Sequence, residues 1–267
     1  MINHPQKRYE GFLKTPYLWQ NDTVFGLNQF ELDSRPSKFD ILIEDNLRLG
    51  KYIERLVSFE LQQQKKISIL AENVQIQKDK LTLGELDCLL LKDEQPIHLE
   101  IIYKFYLYDD TGGNTEIEHF IGPNRKDSLI EKLNKLKEKQ LPLIYSDSCK
   151  PYLDKLGLRA SSMSQQVYFK AQLFVPFSNT EIQLRTLNND CIVGFYINQK
   201  DLENFTQCKF YIPVKKDWLI TPHKNIKWLN FNKFKTVTKN YFEQHYSTLF
   251  WIKFKSGTLK KVFLVWW

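Results

Sequence analysis

Asp87 and Glu100 lie in two apolar runs, Leu81 to Leu91 and Ile97 to Leu107, separated by Lys92, Asp93, Glu94, Gln95 and Pro96, a stretch with turn chemistry. Folding the chain back about Asp93 and Glu94 pairs positions whose numbers share one sum, and that sum sets Asp87 opposite Glu100. Directly opposed residues of antiparallel strands have Cβ atoms roughly 4.5–5.5 Å apart. Two carboxylates that close, among Leu86, Leu89, Leu99 and Ile101, repel each other and lose hydration unless a cation or a shared proton compensates. The spacing therefore predicts a divalent metal site, and hard oxygen donors suit Mg²⁺ or Mn²⁺, which activate water and stabilise charge on a phosphate. Alternation along the strands adds His98, Ile102 and Lys104 to the Glu100 face and Glu85 to the Asp87 face. An ammonium at Lys104 would steady the nucleophile or the charged phosphate. The competing reading leaves Glu85 and Lys104 at solvated strand ends and gives Asp87 and Glu100 each a local partner.

These positions need elements to hold them. From Asp45 to Gln64, Leu49, Tyr52, Ile53, Leu56 and Val57 recur at helical spacing, with Asp45 or Asn46 as the expected N-cap. Glu54 sits on the flank of that helix, one turn after Gly50, whose missing side chain would admit a neighbouring backbone or ligand. The alternative pairs Glu54 with Lys51 or Arg55 at the surface. Residues Lys66 to Ile76 have strand character and lead into the hairpin. Asp109 to Asn124, with Gly112, Gly113 and the Gly122, Pro123, Asn124 turn, reads as an irregular loop. A second helix is expected from Lys126 to Leu141, carrying Lys132, Lys135, Lys137 and Lys139. A further short capped helix is expected at Thr15 to Trp19.

Helix, strand, acidic hairpin and basic helix in this order resemble the core of the PD-(D/E)XK nuclease superfamily. The resemblance runs through an uncharacterised bacterial domain family with a helix like LGKYIERL, strands like GELD and HLEIIYKFYL, then GPN and a helix ending in QL, and it covers Leu49 to Leu141. It implies an α/β, restriction-endonuclease-like core, a mixed sheet flanked by helices, in which Asp87 and Glu100 are catalytic metal ligands. Glu54 is then the acid supplied by the first helix, with Gln140 and the helix lysines Lys132 and Lys135 bordering a DNA cleft. One position departs from the superfamily pattern: its lysine stands two residues after the second acid, where this chain has Ile102. Lys104 is two residues further along, its Cα roughly 13 Å from that of Glu100 at strand rise. Lys132 is the possible substitute.

After Pro151 the character changes to aromatic, strand-like segments at Val167 to Phe174, Cys191 to Ile197, Lys209 to Val214 and Phe250 to Trp267. The expected organisation is thus a nuclease-like core over residues 1–150 and a β-rich region over 151–267. In the last segment Phe250, Ile252 and Phe254 alternate with Trp251, Lys253 and Lys255 before Ser256 and Gly257, which predicts a hairpin with one basic face. Lys253 and Lys255 would follow a nucleic-acid backbone; the alternative makes them guards of an edge strand.

A chain of 267 residues with 42% hydrophobic and 14% aromatic content buries a substantial core, and its net charge of +7 favours an acidic partner such as DNA. Cys88, Cys149, Cys191 and Cys208 make no CxxC pair, which argues against a zinc knuckle or a disulfide framework. The opening residues have no apolar signal core and no run reaches membrane-spanning length, so a cytoplasmic protein is expected. The leading expectation is Mg²⁺- or Mn²⁺-dependent hydrolysis of DNA phosphodiesters. The alternative is a catalytically inactive nuclease fold that binds DNA or another protein.

Overall fold

A computed structural model describes residues 4–20, 23–33, 35–44 and 46–267. Pro5 opens helix α1 (Pro5–Lys14) in its first turn, where a missing N–H costs nothing, and Pro16 then drives Thr15 to an extended ψ of 122°. The helix expected at Thr15 to Trp19 is therefore absent, and Tyr17 instead bridges Lys170. Helix α2 (Leu49–Gln62) buries Tyr52, Ile53, Leu56, Val57 and Phe59 as the periodicity requires. Arg48 occupies its N-cap, not Asn46; Asp45 lies outside the described residues. A Cβ on Gly50 would meet open space, so that glycine serves no close approach.

Strands β1 (Ile67–Lys78), β2 (Leu81–Lys92) and β3 (Gln95–Tyr108) form an antiparallel meander. Asp93 and Glu94 both take left-handed φ values, 49° and 64°, the signature of the two-residue hairpin turn whose twist matches that of the strands. Its register, Lys92 to Gln95 through Cys88 to Leu99, has the expected sum. Beyond that pair the ladder stops.

The loop after β3 contains a two-residue strand, β4 (Phe120–Ile121), paired to the end of β3. The second predicted helix changes pitch twice: α3 (Leu129–Lys135) widens to a π-helical turn at Leu136–Gln140, then narrows to a 3-10 turn at Leu141–Tyr145. There follow α4 (Lys150–Lys155), β5 (Ser164–Pro176), β6 (Ile192–Ile197), β7 (Lys209–Tyr211), α5 (Phe231–Glu243), β8 (Thr248–Lys253) and β9 (Leu259–Leu264). The nine strands make a large mixed sheet of order β1-β2-β3-β5-β6-β9-β8-β7, with β4 beside β3 and helices flanking it. β6 runs parallel to β5 and β9.

Contacts divide the chain into two compact units, each drawn from separate stretches of sequence. One unit comprises 17–103 and 131–170. Its core packs Val74, Ile76, Leu86 and Leu89 of the meander against Leu143, Ile144 and Leu153. The other comprises 1–16, 104–130 and 171–267, with Phe210 stacked on Phe234 at 4.2 Å amid Phe205, Phe250 and Val262. Strand β8 is buried on both faces along Thr248–Ile252, with Phe250 and Ile252 in the aromatic core and Trp251, 1% exposed, against Tyr211 and His223. No helix among the described residues is long and apolar enough to cross a membrane.

Candidate metal centre

Strand alternation puts Glu85 and Asp87 on the same face of β2, and α2 brings Glu54 to it. Each of the three carboxylates offers an oxygen within 4.8 Å of the others. Lys51, one turn before Glu54, sends its Nζ to Glu54 Oε2 at 2.8 Å, to Asn73 Oδ1 at 2.6 Å and to Glu85 Oε1. Asn73 lies on β1 between the pairs Glu72 to Cys88 and Val74 to Leu86, hence across from Asp87, and it adopts a left-handed φ of 55° within the strand. Burial works to lower the Lys51 pKa, but hydrogen bonds to Glu54 and Glu85 outweigh it and raise it. Burial raises the Glu54 pKa despite Lys51.

Asp87 is the most perturbed member. Burial first, then repulsion by Glu100, pushes its pKa up to about 7, against the hydrogen bond its Oδ2 accepts from Ile101 N at 2.9 Å. That side-chain bond stands where the β2–β3 ladder ends. Glu54 and Glu85 share Lys51, and the Lys132 ammonium works to lower the Asp87 pKa without overcoming burial and Glu100.

Glu100 is fully buried and both its oxygens are engaged. His98 Nε2 lies 3.2 Å from Oε1, and Gln140 Nε2 donates to Oε2. Gln140 Oε1 in turn accepts from Lys132 Nζ at 2.7 Å. The π-turn ends at Gln140, a wider pitch of the kind that recurs at functional sites. Nδ1 of His98 has no partner, which favours the neutral tautomer with its proton on Nε2, facing the carboxylate.

The geometry thus brings Glu54 to Asp87 as the sequence suggests, seats Glu85 as the third converging carboxylate, and keeps Glu100 behind Asp87 as a like-charged neighbour. Glu85 carried a legible signal, its position two residues before Asp87, and Lys51 was legible as a partner of Glu54 three residues on, a pairing the structure forms; Asn73 carried none. Lys104 belongs to the other compact unit, where its Nζ is 2.5 Å from Asp127 Oδ2. Gln140 and Lys132 serve the Glu100 carboxylate, and Lys135 is exposed. Lys255 is exposed, and Lys253 is half-buried with its ammonium 5.9 Å from the Trp228 ring centre.

A family model described as a domain of unknown function, DUF1853, matches residues 12–265. The chain belongs to the DUF1853 family. No curated protein and no solved structure matches it. In this DUF1853 chain three carboxylates that converge could hold a metal ion, and one of them, Asp87, is destabilised as an anion by burial and by Glu100. Softer metals would call for the histidine or thiolate donors that this cluster lacks.

Proposed function

We propose that the chain is a metal-dependent nuclease of the PD-(D/E)XK type that hydrolyses phosphodiester bonds in DNA. The observation that carries this reading is the convergence of Glu54, Glu85 and Asp87, with Asp87 disfavoured as an anion by burial and by Glu100. Mg²⁺ or Mn²⁺, when bound, would polarise the phosphoryl oxygen and acidify a water. Glu54, Glu85 and Asp87 would hold it. Glu100, fixed by His98 and Gln140, keeps a second negative charge behind Asp87 and so strengthens the demand for a cation. The net charge of +7 and exposed Lys135 and Lys255 support a polyanionic substrate.

A second reading, a nuclease fold that binds DNA or protein without cleaving, is favoured by one observation: the ammonium of Lys104 is held by Asp127. Linear, supercoiled, single-stranded and branched DNA incubated with the protein in Mg²⁺ and in Mn²⁺ separates the two. The nuclease reading expects cleavage that EDTA stops and that Asp87→Asn and Glu85→Gln abolish. Retained binding with every substrate intact supports the binder and overturns the enzyme.

A further inference from the structure

The ammonium of Lys51 is tied on three sides, to Glu54, Glu85 and Asn73, which matches its three N–H donors. Neutralising the two glutamates needs no third acceptor. Yet Asn73 leaves the strand conformation at this one residue, with Glu72 and Val74 on either side paired in register, and its amide is what reaches the ammonium. Backbone held in a sparsely populated region persists when surrounding structure demands it, and such residues cluster at working sites. An ion pair made for stability alone gives no reason for the departure, since the Lys51 side chain is 43% exposed and pairs of that kind contribute little. Exposure also leaves the ammonium within reach of a ligand entering from solvent.

We infer that Lys51, held by Asn73 beside Glu54 and Glu85, is the catalytic cation of this site, presenting its ammonium to the scissile phosphate of the substrate. The inference rests on the nuclease reading and deepens it by moving the role expected of Lys104 to a residue of α2. Carboxylate lone pairs given to a divalent ion free ammonium hydrogens for a phosphoryl oxygen, while the Asn73 amide keeps the nitrogen in place. Lys51 retains its proton throughout and forms no bond to phosphorus; it acts by electrostatic stabilisation of charge that grows on the phosphate oxygens.

The test measures Mn²⁺ affinity by calorimetry and cleavage of a linear duplex for wild type, Lys51→Met, Lys51→Arg, Asn73→Gly and Lys104→Met. Lys51→Met is expected to cut at least about 100-fold more slowly while binding Mn²⁺ as tightly as wild type or more tightly, because a competing cation is gone. Lys51→Arg restores part of the rate, and Lys104→Met cleaves like wild type. Asn73→Gly, which keeps the left-handed backbone without strain and removes the amide, should lower the rate without lowering the melting temperature. If Lys51→Met loses Mn²⁺ binding together with cleavage, Lys51 is a scaffold for the carboxylates and the inference fails. If Lys51→Met cleaves normally while Asp87→Asn is inactive, the inference fails and the nuclease reading stands. Absence of cleavage by the wild-type protein overturns both.

Discussion

Charges are buried in both compact units, and they are treated in opposite ways. In the unit built on 171–267, Arg8 Nε meets Asp217 Oδ1 at 2.6 Å, and both residues are buried. Lys261 is buried too, with Nζ bonded to Gln172 Oε1 at 2.8 Å and to the carbonyls of Trp218 at 2.5 Å and Leu219 at 3.5 Å. Arg8 thus ends on an opposite charge and Lys261 on accepting oxygens. In the other unit Glu54, Glu85, Asp87 and Glu100 crowd together with fewer cations than anions, and Asp87 resists ionisation. A closed polar network is a fastening for the fold. An acidic cluster with one member disfavoured as an anion is an electrostatic debt that a ligand can settle, which is why function is sought in the second.

The contrast breaks most visibly at Arg8. Arg8→Ala leaves the Asp217 carboxylate buried without its cation and should cost about 3–5 kcal/mol in urea denaturation. A loss under about 1 kcal/mol would mean that Asp217 regains water easily, and that the fastening is no tighter than a surface pair.

Asp87→Asn should act in the opposite sense. A carboxyl whose folded pKa stands near 7, above its ordinary value, binds a proton in the folded state that the unfolded chain has released, so stability falls as pH rises from about 4 through 7. The asparagine variant lacks that fall and still offers an oxygen to Ile101 N. In EDTA at pH 8 it should therefore be more stable than wild type, on the order of 2 kcal/mol, with the difference vanishing toward pH 4. Thermal melts across that range check it; a destabilised variant at pH 8 would mean that Asp87 is a satisfied structural carboxylate.

The smallest expected effect is at Lys261. Burial pulls its pKa down to about 7, so above that pH the unfolded chain holds a proton that the folded one has given up, and stability rises with pH until the unfolded lysine also titrates near about 10.4. Lys261→Met should lose this rise and cost about 1 kcal/mol at pH 9 through carbonyls left without a donor. Equal slopes for both proteins between pH 7 and 10 would mean that burial does not depress the Lys261 pKa.

What the sequence disclosed follows the range of the interactions concerned. The meander and its Asp93–Glu94 turn are local, set by strand alternation and a two-residue turn, and the register points Asp87 toward Glu100 although the paired ladder ends at Cys88 and Leu99. Helix α2 was legible from its apolar period. Arg8 and Asp217 are 209 positions apart, and nothing local marks either as the other's partner. Gln140 reaches Glu100 from the end of a π-turn, a change of pitch that heptad-like leucines do not announce. Lys104 shares a strand face with Glu100 by alternation alone, but Asp127, arriving from the loop after β4, claims its ammonium. In the last hairpin Lys255 stays exposed and Lys253 half-buried, whereas Trp251 on the same face is buried, a contribution of neighbouring elements that a strand pattern does not register.

Titration of Mn²⁺ into wild type and Asp87→Asn by calorimetry at pH 7, in two buffers of different protonation enthalpy, tests the central claim most directly. A site built on Glu54, Glu85 and Asp87 predicts binding by the wild type with net proton release, since Asp87 is part-protonated at that pH, and an affinity at least about tenfold lower in the variant without that release. Equal affinity in the two proteins, or no binding by the wild type, would contradict it.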